Sequence, residues 1–232
     1  MANNSREVTK TGSSAGDVQA FLQKAKNLQR YTAGRPRLIF AIDATASRQP
    51  TWDLACALQA DMFNASADVA DLSLQLAYYR GLNELSLGAW ETDARAVAHS
   101  MSQVQCAAGA TQIRSLLKAV LSQQSSAAAK ALVFIGDAVE ESSRALIELA
   151  GQCRMRSLPL FMFQEGGDPS VEGVFREMAG VSGGAYASFD AGSAQRLREL
   201  LGAVARYAAG GRAALENNRS ATAQRLLAQL KD

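Results

Sequence analysis

The sequence predicts a Rossmann-like, doubly wound α/β fold: a mainly parallel, six-stranded sheet with one antiparallel edge strand and helices on both faces. Three observations carry this. Short apolar runs without polar alternation, at 37–42 (RLIFAI) and 131–136 (ALVFIG), read as strands buried on both faces, as parallel sheets require. Such runs alternate with stretches of helical period, which implies βα units. One pair, 71–80 and 84–90, instead alternates residue by residue about Gly81-Leu82-Asn83, which implies a hairpin.

Taken in order, residues 1–16 are small and polar and are expected to be loose. Val18, Phe21, Leu22, Ala25 and Leu28 then recur at helical spacing, and Gly34-Arg35-Pro36 breaks that helix before the first strand. Thr51 is a suitable N-cap, with Asp53 favouring the helix N-terminus, for a helix to about residue 65. In the hairpin, Leu72, Leu74, Leu76 and Tyr78 share one face, and Leu85, Leu87 and Ala89 repeat the pattern. Helices are expected at 93–103, 112–123, 142–153, 170–179 and 193–207, and strands at 131–136, 158–163 and 185–189. Gly210-Gly211 is expected to end the last of these helices, and Leu226, Leu227 and Leu230 mark a final amphipathic stretch. The expected organisation is an N-terminal segment at 1–34, the α/β domain at 35–210 and a helical extension at 211–232.

Composition narrows the function. A chain of 232 residues, 48% hydrophobic, is enough for one well-buried α/β core. Its 24 basic and 22 acidic residues nearly cancel, giving a net charge of +2 and no field for wrapping nucleic acid or coating an anionic membrane. No apolar signal core or membrane-length run is present. Cys56, Cys106 and Cys153 are odd in number and contain no C-x-x-C spacing, so free thiols in a reducing cytoplasm are expected. The single histidine, His99, lies on a predicted helix far in sequence from every motif.

The informative segment is Asp43-Ala44-Thr45-Ala46-Ser47, directly after the first apolar strand. Alternation at a strand end points Asp43, Thr45 and Ser47 to one side. One carboxylate with two hydroxyls makes an all-oxygen pocket, suited to a hard cation such as magnesium. Thr111, in a Gly-Ala-Thr turn, and Asp137, after the strand at 131–136, are the other polar residues expected at the crevice if those two strands are neighbours.

With these residues in this order, the chain resembles the von Willebrand factor type A (VWA) domain, with its metal-ion-dependent adhesion site. That site has the pattern D-x-S-x-S, then a distant Thr, then a distant Asp after an apolar strand. Asp43, Thr45 and Ser47 match the first part, with Thr45 where the family more often has Ser. Thr111 and Asp137 match the rest, and the resemblance covers roughly 35–207. It implies magnesium or manganese held directly by Ser47, Thr45 and sometimes Thr111, with Asp43 and Asp137 acting largely through water. It further implies a non-enzymatic, bacterial intracellular protein-binding module, in which an acidic residue of a protein partner completes the metal. Arg48, Gln49, Trp52 and Glu140 are expected at the partner-binding rim, with Trp52 equally suited to packing its own helix on the sheet. Glu140 and Glu141 also suit a solvated helix start.

Two other functions are weighed. A magnesium-dependent phosphohydrolase of the haloacid dehalogenase type places D-x-D at the first strand end, and Thr45 stands where general acid/base work needs a second carboxylate. A metal-independent scaffold would act through its terminal helices. No phosphate-cradling G-x-x-x-x-G-K-[ST] loop or G-x-G-x-x-G turn is present.

Overall fold

The computed structural model describes residues 35–49, 52, 72–123, 128–190 and 193–230. Its first strand, β1 (Arg37–Asp43), is buried along nearly its whole length. Side chains alternate between two cores, Leu38, Phe40 and Ile42 into one and Ile39 and Ala41 into the other. This explains the unbroken apolar run: both faces of the strand are covered, so neither tolerates a polar residue. The other strands are β2 (Ser73–Arg80), β3 (Glu84–Glu91), β4 (Ala131–Gly136), β5 (Leu160–Glu165) and β6 (Tyr186–Phe189). The helices are α1 (Ala94–Ser102), α2 (Ile113–Gln123), α3 (Ser143–Met155), α4 (Pro169–Ser182), α5 (Ala194–Glu216) and α6 (Ala221–Leu227).

The strands form one sheet in the order β3-β2-β1-β4-β5-β6. All neighbours are parallel except β2 and β3. This is the expected six-stranded, doubly wound sheet with one antiparallel edge strand. Residues of α1, α5 and α6 share a core with Leu38, Phe40, Val133 and Phe161. Residues of α2, α3 and α4 cover the opposite face with Ile39, Leu132, Phe134 and Met162. The winding reverses at β1, which has β2 on one side and β4 on the other, so the carboxyl ends of β1 and β4 border the switch-point crevice.

One local expectation changes. The hairpin register shifts between Gln75 and Ala77, where Gln75 Nε2 donates to the Gly88 carbonyl at 2.8 Å. This bulge breaks the alternation of β3, so Ala89 is exposed while Trp90 packs beside Leu85 and Leu87. Gly210-Gly211 interrupts α5 as expected: Gly211, at φ +64° and ψ −156°, is not helical, and a second helical stretch follows it to Glu216. The stretch beyond it belongs to the core, because Leu215, Ala223, Leu226 and Leu230 are buried against the sheet cluster. The helices expected at 18–28 and 51–65 lie outside the described residues, apart from Trp52. Among the described residues no helix is long and apolar enough to cross a membrane.

Candidate functional site

Asp43 ends β1 and is fully buried. Its Oδ1 accepts the Thr45 backbone N–H at 2.8 Å, and its Oδ2 accepts the Tyr79 hydroxyl at 3.0 Å. Tyr79 stands opposite Asp43 in the β1–β2 register and stacks on Phe134, with ring centroids 6.2 Å apart. Burial raises the Asp43 pKa above the ordinary carboxyl value, the bonds from Thr45 and Tyr79 oppose that, and Asp137 adds to it. Burial beside Asp43 likewise pushes the Tyr79 phenol well up, so it stays a neutral donor.

Thr45 and Ser47 do not converge by strand alternation, because β1 ends at Asp43. The chain instead turns through a 3-10 turn, Ala46–Arg48, closed by the Arg48 N–H on the Thr45 carbonyl at 3.0 Å. That turn sets Thr45 Oγ1 and Ser47 Oγ 3.3 Å apart. Adjacent ligands of an octahedral magnesium ion, each about 2.1 Å from it, lie about 3 Å apart, so this spacing fits such an ion.

Thr111 sits on a segment held from three sides. Ala107 N–H donates to the Ala44 carbonyl at 3.1 Å, beside the loop that follows β1. Gly109 approaches the hairpin so closely that a Cβ there would stand 1.8 Å from the Gly81 carbonyl oxygen, which only glycine permits. Gln112 Nε2 donates to the Arg80 and Gly81 carbonyls, both at 3.1 Å. The third support is the loop after β4. Thr111 N–H donates to Glu140 Oε2 at 2.9 Å, and Thr111 Oγ1 accepts the Glu140 N–H at 3.0 Å. Glu141 accepts the N–H groups of Ile113 at 2.6 Å and Arg114 at 2.9 Å. Thr111 is therefore not the cap of α2; Glu141 does that from another loop, where a carboxylate favours the helix N-terminus. Glu140 and Glu141 thus serve the start of α2 rather than that of their own helix.

Asp137 follows Gly136, and a Cβ on Gly136 would stand 2.8 Å from the Phe134 ring. Asp137 Oδ1 is buried and has no hydrogen-bond partner among the described residues. A buried carboxylate oxygen without a donor fits an arriving cation or its bound water. Among the described residues no group of three or more His, Cys, Asp and Glu side chains is placed to hold a metal, so a cation here depends on hydroxyl oxygens. Thr45, Ser47, Gly109, Thr111 and Glu140 line an open pocket of about 220 Å³. Asp43 is not part of that lining; it is buried behind Thr45, whose N–H it accepts.

The rim residues divide. Gln49 and Glu140 are exposed at the surface. Trp52 is not an exposed anchor: it is buried and meets Tyr78 edge to face, with ring centroids 6.3 Å apart. Arg48 is not at the rim either. Its side chain is buried and ion-paired with Glu165, the last residue of β5. Burial works against the Arg48 charge, while Asp137 and Asp43 favour it. Tyr79, Gln112 and Glu165 escaped the sequence reading, and Glu141 was read only as a solvated helix start. Glu165 carried a usable signal, as a lone carboxylate at the end of an apolar strand. His99 is exposed on α1.

No protein-family model matches the sequence, and no curated protein is similar to it. Solved structures share the fold. The VWA domain of SpRpn10 superposes with a TM-score of 0.56 at 11% identity, over 74% of this chain and 94% of that one. An aerotolerance-related membrane protein from Bacteroides fragilis gives a TM-score of 0.54 at 13% identity, over 71% and 96%. Human Sec24c, a COPII-coat protein, gives 0.56 at 13% identity, over 75% of this chain and 32% of that one. The chain therefore has the VWA fold, and at these identities the likeness extends to the fold alone.

Proposed function

We propose that this chain is a non-enzymatic, cytoplasmic protein-binding module of the bacterial intracellular VWA type. It captures an acidic residue of a protein partner through a divalent cation, magnesium or manganese. The observation that carries this is the pair of hydroxyls, Thr45 Oγ1 and Ser47 Oγ, 3.3 Å apart in a pocket shared with Thr111. Asp137, with its unpartnered buried oxygen, and Asp43 supply negative charge at the same crevice. Thr45, Ser47 and Thr111 would hold the ion, with Asp43 and Asp137 behind them. When bound, such an ion supplies a hard, electrophilic centre that an outside carboxylate can complete.

The chain's own residues prepare that site. Tyr79 and the Thr45 N–H orient the Asp43 carboxylate. Gly109, Gln112 and Glu140 hold the Thr111 loop across the mouth. Arg48 offsets part of the buried negative charge without entering the pocket lining. The shared fold with a COPII-coat protein and the SpRpn10 VWA domain supports an adaptor role. The free, buried thiol of Cys153 fits a reducing compartment. Thr45, where a phosphohydrolase of the D-x-D type needs its acid/base, weighs against turnover. Burial of Leu226 and Leu230 in the core weighs against the C-terminal stripe as a docking surface.

Thermal unfolding of chelator-treated protein, with and without magnesium or manganese, tests the reading. A cation at a hundredfold excess over its Kd adds about 2.7 kcal/mol to the native state. For a domain of this size, that raises the midpoint by about 5–11 °C. The rise is expected in the native chain and absent in Ser47→Ala. An equal rise in both, or none in the native chain, contradicts the proposal.

A further inference from the structure

Among the described residues the sheet ends at β6, whose outer edge the crevice does not use. In a parallel ladder, the N–H and C=O of one residue point to the same side, and successive residues alternate. The carbonyls of Ala185 and Phe189 accept N–H groups from Met162 and Gly166, at 2.9 and 3.0 Å. The backbone groups of Tyr186 and Ser188 therefore face outward. Tyr186 meets a side chain there: Gln229 Oε1 accepts its N–H at 3.0 Å, and Gln229 Nε2 donates to its carbonyl at 3.0 Å. That carboxamide presents the donor and acceptor that one residue of an added strand would present. Ser188 is exposed.

Across this edge lies an open pocket of about 380 Å³, with Arg176, Arg196 and Arg225 around it and Leu200 and Leu226 among its apolar lining. The guanidinium groups come from α4, α5 and α6. Arg176 lies over the Tyr186 ring, 4.2 Å from its centroid, and its carboxylate partner is the exposed neighbour Glu172. Such a pair is worth little. Arg196 donates to the Thr222 hydroxyl at 3.0 Å. Thr222 and Gln195 hold the nearby Glu199 carboxylate, at 2.7 and 3.1 Å. Arg225 is exposed and has no carboxylate partner among the described residues. Among the described residues, three guanidinium groups and no carboxylate line the pocket.

We propose that the outer edge of β6 is a second binding site, for an extended acidic segment of a protein partner. The segment adds as a strand at Tyr186 and Ser188, displaces the Gln229 carboxamide, and sets carboxylates against Arg196 and Arg225. Its backbone replaces the two hydrogen bonds that Gln229 gives up, so that exchange is close to neutral. The charge-assisted pairs decide affinity and select acidic over basic sequences. Alternation in an added strand puts every second side chain on one face, so alternating acidic residues share the face towards the arginines.

The test is fluorescence anisotropy of a labelled peptide of alternating Glu and Val, with the whole chain in chelator at low salt, beside a Lys–Val counterpart. The Glu–Val peptide is expected to bind and the Lys–Val peptide not to bind. Arg225→Glu is expected to weaken binding by about tenfold or more. Ser188→Pro removes an outward N–H at an edge position that tolerates proline, and is expected to abolish binding. Full binding by a folded Ser188→Pro would overturn strand addition. No binding by the native chain, or equal binding of both peptides, would overturn the site. If Ser188→Pro unfolds, Gln229→Ala replaces it: opening the edge is expected to tighten binding severalfold, and unchanged affinity would overturn the displacement.

Discussion

Replacing Arg48 with methionine tests how the floor of the crevice is held. The Arg48 side chain is 2% exposed and that of Glu165 is 12% exposed, so the ion pair between them is buried on both sides. Methionine fills much of the apolar stem's volume but removes the cation that Arg48 sets against the Glu165 carboxylate. Breaking a buried pair by removing one partner costs about 3–5 kcal/mol, mostly for the charge left behind. In a domain of this size, each kcal/mol lowers the unfolding midpoint by about 2–4 °C, so Arg48→Met is expected to fall by about 6–20 °C. The assay is thermal and urea unfolding by circular dichroism, in chelator. The double variant Arg48→Met/Glu165→Gln leaves neither charge and is expected to recover most of the loss. If Arg48→Met lies within about 1 kcal/mol of the native chain, as for a surface pair, the buried-cation account is wrong.

Three further outcomes follow from the same geometry. A carboxyl with its folded pKa above its unfolded one makes stability fall as pH rises through that interval, so ionised Asp43 weighs against the apo fold at neutral pH. Asp43→Asn keeps the acceptor for Thr45 N–H and is expected to unfold no earlier than the native chain at neutral pH in chelator, with the gap closing as pH falls towards the ordinary carboxyl range. Gly109→Ala forces a Cβ against the Gly81 backbone, and is expected to cost about 1–3 kcal/mol in urea unfolding and to weaken the response to magnesium; native-like values for both would show that the Thr111 loop is not pinned there. Burial pushes the Cys153 thiol up to about 12, so mass spectrometry after alkylation at mild alkaline pH should find it unmodified in the native chain and modified in denaturant.

The sheet was legible in the sequence because its signals are strong. Strands such as RLIFAI and ALVFIG lie between two helical layers, and their apolar character records both. The hairpin was legible from alternation, but its bulge was not, because nothing in the pairing of Gln75 with Trp90 is visible until β2 and β3 meet. Gly210-Gly211 was legible as a helix stop, but the helical stretch beyond it, with Leu215 buried in the core, was not. At the crevice, a 3-10 turn rather than the pleat sets Thr45 and Ser47 beside each other after Asp43. Arg48 was expected at the rim on the strength of residue type and sequence position, and Trp52 either there or packed on the sheet. Their burial depends on Glu165 and Tyr78, partners far away in the chain. The trans cap of α2 by Glu141 was hidden for the same reason.

The most direct measurement is the electron paramagnetic resonance signal of free manganese titrated into chelator-stripped protein, for the native chain, Thr45→Val and Asp137→Ala. Free aqueous manganese gives the signal and bound manganese loses it. The account predicts one bound manganese per native chain, displaced by excess magnesium, with binding lost in Thr45→Val and strongly weakened in Asp137→Ala. A native chain that leaves the free signal untouched, or variants that bind manganese as the native chain does, would contradict a cation held at this crevice.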